Sequence, residues 1–285
     1  MDIQVADERI LLFKEQLAKD EAKKRAWEKK IDAFGAINKV ASFLSKPKDE
    51  DFTLVHEEHR LEPFWHVAAS AHYIYDRSTM YQVPVTGPEV QSVTVEGKKY
   101  PTMNGHIHTP VIEHCMEDLK EEVYVDGITG EKNPALSSLF QFSPKSIDSA
   151  GLTKAVGREI VLVPPETRVS ALMRTILSRM IQGIQADKIF EEKVEVSAVE
   201  LCYHPVFAFQ YRWNSKNKEA IVEVDGLTGQ VKTGSRLFQQ YLGKVLDTNF
   251  LFDIGADAAG VLIPGGSIAV KVARKYMETK KKTTR

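Results

Sequence analysis

The chain has 285 residues, 43% hydrophobic and 27% charged, a globular composition that excludes collagenous, mucin-like and wholly disordered chains. Lys plus Arg number 38 against 39 for Asp plus Glu, so the net charge of −1 offers no global field for nucleic acid or anionic lipid and argues against a dedicated nucleic-acid binder. Two cysteines, Cys115 and Cys202, are too few for a disulfide framework and suit a reducing compartment.

The opening residues lack a basic region followed by an apolar run and a cleavage site, so no secretory signal is expected and the cytoplasm is the expected location. Residues 6–32 hold 15 charged positions in 27 with no Gly or Pro, and the apolar stripe Ile10, Phe13, Leu17 resumes at Trp27, Ile31 and Phe34. The spacing predicts one long charged helix, suited to docking on a partner. From Pro63 to Tyr75 alternation predicts a half-buried strand; Asp76-Arg77-Ser78-Thr79 reads as a turn, and Met80 to Val85 as the next strand. Short strands are expected around 90–95, with a turn at Gly97, and on both sides of Asn104-Gly105, the strongest hairpin signal in the chain.

Residues 133–165 are punctuated by Ser, Pro and Gly and read as a connector. After Pro164-Pro165, the residues Val169, Met173, Ile176, Leu177 and Met180 mark one face of a helix. Residues 194–213 form a strand with an aromatic stripe at Phe207, Phe209, Tyr211 and Trp213, and Ala220, Val222 and Val224 return along a partner strand. Beyond it, Pro264-Gly265-Gly266 separates two expected helices, 237–262 and 267–278, a helical hairpin followed by a basic tail. The apolar tract 258–273 is too interrupted for a transmembrane segment. Gly260 to Ser267 imitates a phosphate-binding loop but has Gly266 where the lysine is needed, and Asp253 and Asp257 read as surface or capping residues.

Val125-Asp126-Gly127-Ile128-Thr129-Gly130 recurs as Val224-Asp225-Gly226-Leu227-Thr228-Gly229, an offset of 99, and the openings Phe64-Trp65-His66-Val67 and Tyr203-His204-Pro205-Val206 look related at an offset of 139. A tight turn between strands accounts for the repeated phrase without chemistry. A helix, a sheet wrapped on it and a closing Val-Asp-Gly-Leu-Thr-Gly-Gln-Val at 224–231 resemble the PepSY and cystatin-like α+β domains, over residues 166–233 and more loosely 50–132. The resemblance implies a binding or regulatory module and transfers no catalytic residue.

Seven of the eight histidines lie between positions 56 and 114. His66, His72, His106 and His108 are candidate ligands for a metal such as zinc, since strand parity places each pair on one face. Cys115 is a candidate nucleophile with His114, and Asp126 or Glu113 as orienter. The plainer reading puts the histidines on the polar face of a sheet and treats Cys115 as a small hydrophobe.

The expected architecture is α+β: two related antiparallel-sheet modules each packed on helix, with an N-terminal charged helix and a C-terminal helical hairpin. Its divisions are 1–48 helical, 49–135 first module with the His-rich insertion, 136–165 connector, 166–234 second module and 235–285 helical with the basic tail. The expected function is a non-enzymatic intracellular protein-binding or scaffold module without cofactor, meeting a protein partner through residues 1–45 or the C-terminal helices, with homo-oligomerisation open. The alternative is a metal-dependent or cysteine hydrolase using the His-rich insertion.

Overall fold

The computed structural model describes residues 1–35, 47–157, 159–181 and 183–233, and the backbone of 271–275. In chain order the strands are β1 (Asp2–Ala6), β2 (Glu8–Leu12), β3 (Phe52–Pro84), β4 (Ser92–Val95), β5 (Lys98–Pro101), β6 (His106–Asp126), β7 (Lys145–Ile147), β8 (Ile160–Leu162), β9 (Lys188–Trp213), β10 (Lys218–Asp225), β11 (Val231–Thr233) and β12 (Lys271–Lys275). Helices run over Lys19–Lys29, Ser149–Val156 and Val169–Met180, with 3-10 turns at Lys30–Phe34 and Pro134–Phe142.

Among the described residues ten strands form one mixed sheet, and β4 pairs with β5 separately. Its centre is the long antiparallel pair β3·β9, in register from Phe52 opposite Trp213 to Asp76 opposite Lys188, with three bulges. The outer edge of β9 is occupied in succession by β1 and β2, both parallel to it, and by β10, antiparallel. The outer edge of β3 takes β8 in parallel and then β6 antiparallel.

This single sheet overturns the expected pair of helix-packed modules, because β3 and β9 share a ladder over nearly their whole common length. The long helix expected over 6–32 is also corrected: Glu8–Leu12 is β2, preceded by β1, and the helix begins only at Lys19. Ile3 and Leu11 are buried there, and pairing with β9 satisfies backbone groups that a solvent-facing helix would have satisfied internally. The expected turn at 76–79 is absent, since His114 bonds Asp76 at 2.7 Å and Glu113 bonds Arg77 at 2.5–2.7 Å, continuing the ladder through polar residues. At the C-terminus, Lys271–Lys275 is a strand parallel to β1 where a second helix was expected. Residues 237–262, and with them Gly260 to Ser267, Asp253 and Asp257, lie outside the described residues.

Both longer helices cover the same face of the sheet. Val169, Met173, Ile176, Leu177 and Met180 pack on Trp65, Val67, Val199 and Leu201, while Ala22 and Ala26 pack on Phe207, Phe209, Val222 and Val224. On the opposite face, Phe64, Cys202 and Leu11 gather with Phe13 and Leu139 under the 134–142 turn.

The two Asp-Gly turns have the same hydrogen bonds. Asp126 Oδ1 accepts from the backbone N–H groups of Ile128 and Thr129, each at 2.9 Å, and Asp225 Oδ1 accepts from Leu227 at 3.0 Å and Thr228 at 2.8 Å. Gly127 N donates to Pro63 O at 3.0 Å, and Gly226 N to Pro205 O at 2.8 Å. The carbonyl of Gly127 accepts from Glu166 and Thr167, and that of Gly226 from Gln16 and Leu17. The glycine N–H ties each turn to a proline carbonyl, Pro63 in one case and Pro205 in the other. Each proline lies one residue past the end of a hairpin ladder, where a missing N–H is tolerated.

Candidate functional site

The His-rich region is drawn out along one antiparallel ladder, so its residues are spread rather than gathered. His66 is opposite Tyr124, His72 opposite Asp118, His108 opposite Gln82 and His106 opposite Pro84. At about 3.4 Å per residue, His66 and Gln82 are separated by roughly 54 Å of strand, so the four histidines do not converge. No group of three or more His, Cys, Asp or Glu able to hold a metal occurs among the described residues. Cys115 lies opposite Tyr75 with Sγ 3.7 Å from Glu113 O, and His114 alternates to the other face, bonded to Asp76 at 2.7 Å. Asp126 is eleven residues further on, its carboxylate taken by its own turn, and Glu113 accepts from Arg77 and Tyr81 rather than from His114. The proposed nucleophile, base and orienter are therefore not assembled.

What does assemble is an ionic row across four strands. Arg9 on β2 is opposite Glu200 on β9, which is opposite His66 on β3, which is opposite Tyr124 on β6. Arg9 pairs with Glu200, His66 Nδ1 meets Glu200 at 2.8 Å and Nε2 meets Glu122 at 2.9 Å, and Tyr124 donates to Glu122 at 2.6 Å. The imidazole stacks on Tyr124 at 4.7 Å, with Phe140 edge-on at 5.1 Å. Burial would raise the Glu200 carboxyl, but the His66 hydrogen bond and the Arg9 charge outweigh it and hold it below the usual range. The Tyr124 hydroxyl and then His66 lower Glu122 in the same way. With its two ring nitrogens engaged by carboxylates on β9 and β6, His66 ties both strands to β3, and the row acts as a clamp.

A second buried cluster lies along the same face. Arg60, fully buried, pairs with Glu62 at 2.6 Å and with Glu223, beside Glu58, whose carboxyl burial pushes up. His204 Nδ1 lies 3.2 Å from Asp225. Burial would raise Asp225, but His204 and the Thr228 donors outweigh it, and its pKa is lowered to about 2.

Among the described residues, the largest feature without a structural partner is an arm. Beyond Asp76 the β3·β6 ladder leaves the sheet and continues alone for eight pairs, Arg77 opposite Glu113 to Pro84 opposite His106, about 27 Å at strand rise. Its end carries β4·β5, turned by Glu96 and Gly97, and a bend at Asn104-Gly105, all four residues at positive φ; the turn at Gly97 and the bend at Asn104-Gly105 are where the sequence places them. Of ten exposed large hydrophobics among the described residues, all but Val55 lie between Met80 and Met116 or at the arm's base, at Ile189 and Phe190. Met80, Ile112 and Met116 share one face by parity, with 57%, 61% and 70% exposure; Tyr81 and Val83 share the other. An open recess of about 490 Å³ at the base is lined by Arg77, Ser78, Thr79, Gln185, Ala186 and Asp187. Its charged groups are already engaged, Arg77 by Glu113 and Asp187 by the Ser78 N–H.

Sequence reasoning missed the arm because it placed a turn at 76–79. The available signal was alternation: Ile112, His114 and Met116 keep strand parity on β6, as Met80 and Gln82 do on β3. No helix among the described residues is long and apolar enough to cross a membrane. No family model matches the sequence, and neither a curated protein nor a solved structure matches it.

Proposed function

We propose that the chain is a non-enzymatic protein-binding module whose docking element is the β3·β6 arm. The observation that carries this reading is the concentration of exposed apolar side chains on and beside a two-stranded ribbon that, among the described residues, joins no third strand of the main sheet. An isolated ribbon is marginally stable in water, and exposed apolar patches mark interaction sites. The expected docking through residues 1–45 gives way to the arm, because the Lys19–Lys29 helix has Ala22 and Ala26 buried against the sheet.

The same reading treats the chain as a duplicated strand–helix–strand–strand unit interleaved within the one sheet. Arg9 to Phe13 matches Glu159 to Val163, residues 62–67 match 204–209, and 125–130 match 224–229. The backbone bonds Phe13 N to Tyr203 O and Val163 N to Leu61 O, at 2.9 and 3.0 Å, obey this correspondence. β10 has 8 residues where β6 has 21, so the arm is what the first unit has and the second lacks. The free state of Cys115 and Cys202 is in keeping with a reducing cytoplasm.

The test replaces residues 79–109 with a short turn and compares partner capture from the native host by the full and shortened chains. The full chain should retain a stoichiometric protein that the shortened chain loses while unfolding at the same temperature. Equal capture by both would remove the arm from the function.

A further inference from the structure

We propose that the open edge of β6 from Ile112 to Lys120 takes an extended segment of a partner protein in antiparallel pairing, a segment that sets a lysine or arginine opposite Glu117 and apolar residues opposite Met116 and Ile112. The inference rests on the reading of the arm as docking element and names what is bound there. The ladder shows which backbone groups are open. His106 exchanges both its backbone bonds with Met103, Pro110 is in register with Met80 and has no N–H to give it, and Tyr124 O accepts from Asn133 N, so the even-numbered residues of β6 face away from β3. Among the described residues nothing bonds the outward N–H and C=O groups of Ile112, His114, Met116, Asp118 and Lys120. Pro110 closes this stretch at one end. At the other, Lys132 lies alongside, bonded to Glu121 at 3.4 Å and bridged to Val125.

Length and surface set this edge apart from the other margins of the sheet. β7, β8 and β11 have three residues each and β12 has five, lengths at which an edge offers little to pair with. On the arm's other side the Ser78 N–H is taken by Asp187 and Pro84 has none, which leaves Met80 and Gln82 alone with both groups open. From 112 to 120, β6 has no proline and no bulge, and of the devices that blunt a sheet edge it carries only Lys120. An added strand shares its faces with β6, so the side chains along β6 select the partner position by position. Ile112 and Met116, 61% and 70% exposed, call for apolar neighbours on one face. On the other face Glu117 is half-buried opposite Tyr73 and meets no cation among the described residues, whereas Glu113 has Arg77 and Asp118 has His72. A cation from the partner therefore completes the one carboxylate that this stretch leaves unpaired, directly beside the apolar contact at Met116.

The probe is the peptide Thr-Thr-Thr-Lys-Val-Thr-Thr-Thr-Val, which in this register sets its lysine opposite Glu117 and its valines opposite Met116 and Ile112. With the full chain and about 1 mM peptide, amide exchange resolved by NMR should slow at least about tenfold at the five open residues, while the odd-numbered amides between them, already bonded to β3, keep their rates. Met116→Pro deletes an outward N–H that no bond within the chain uses, so it should leave the circular dichroism unchanged and weaken peptide binding at least about tenfold. Glu117→Lys should weaken binding about tenfold and should prefer, by a similar factor, the peptide carrying glutamate in place of its lysine, a reversal that a loss of folding does not produce. No slowing by the peptide, slowing that ignores the alternation, or binding by Glu117→Lys that is indifferent to the peptide's charge overturns the proposal. If the peptide leaves 112–120 unprotected while shortening the arm still abolishes partner capture, the proposal falls and the arm reading stands. If the shortened chain captures its partner as well as the full chain does and Met116→Pro loses it, the edge stands and the arm reading falls.

Discussion

At Gly127 and Gly226 the backbone passes so close to a proline carbonyl that a Cβ would lie 2.7 Å from Pro63 O and 2.9 Å from Pro205 O. Gly226→Ala should therefore cost about 1–3 kcal/mol in urea unfolding. Alanine at Gly97, in an exposed turn with nothing within 4 Å of its Cβ, should cost only about 1 kcal/mol from its positive φ. His66→Ala strips the buried Glu200 of one of its two partners, leaving the half-exposed Arg9, and should cost about 3 kcal/mol, part of which Glu200→Gln in the same chain should return. Asp225, held at about 2, is depressed relative to an unfolded carboxylate near 3.9. Its contribution of about 2 kcal/mol is complete above the unfolded value and is lost as pH falls through about 4 toward 2. Asp225→Asn should flatten stability against pH in that window, as read from urea titrations. The turns were readable in the sequence because Asp-Gly chemistry is local. The clamp was not, since Glu200 lies 134 residues from His66 and only the register brings them together.

Among the elements, the Val169–Met180 helix and the β9·β10 hairpin were recovered from periodicity, because each buries one face against the sheet. The N-terminal strands were not: Ile10, Leu11, Leu12 and Phe13 fit a helical stripe or a strand equally well, and pairing with a strand some 190 residues away decides between them. β3 was cut in two because Asp76 to Thr79 is polar, yet polarity there marks exit from the core rather than a reversal. The arm contributes little to the fold's free energy, so replacing residues 79–109 by a short turn should shift urea-unfolding stability by less than about 1 kcal/mol. Exposed apolar residues predict the opposite for association, which the same change should abolish.

For the whole molecule, the N-terminal 35 residues are part of the sheet and its cover. They supply β1 and β2 to the edge of β9 and the helix over Phe207 and Phe209. Their removal should leave a chain without cooperative thermal unfolding, since it uncovers a buried aromatic cluster. Amide hydrogen exchange of the full chain, compared with and without its captured partner, tests most directly whether the arm is the free surface through which this molecule associates. The amides of 61–75 and 194–211 should exchange only with global unfolding in either state, while the edge-facing amides within 108–118 should exchange quickly in the chain alone and slowly in the complex. Edge-facing amides within 108–118 as slow as the sheet centre in the chain alone would contradict this, because something within the chain itself would then be covering the arm.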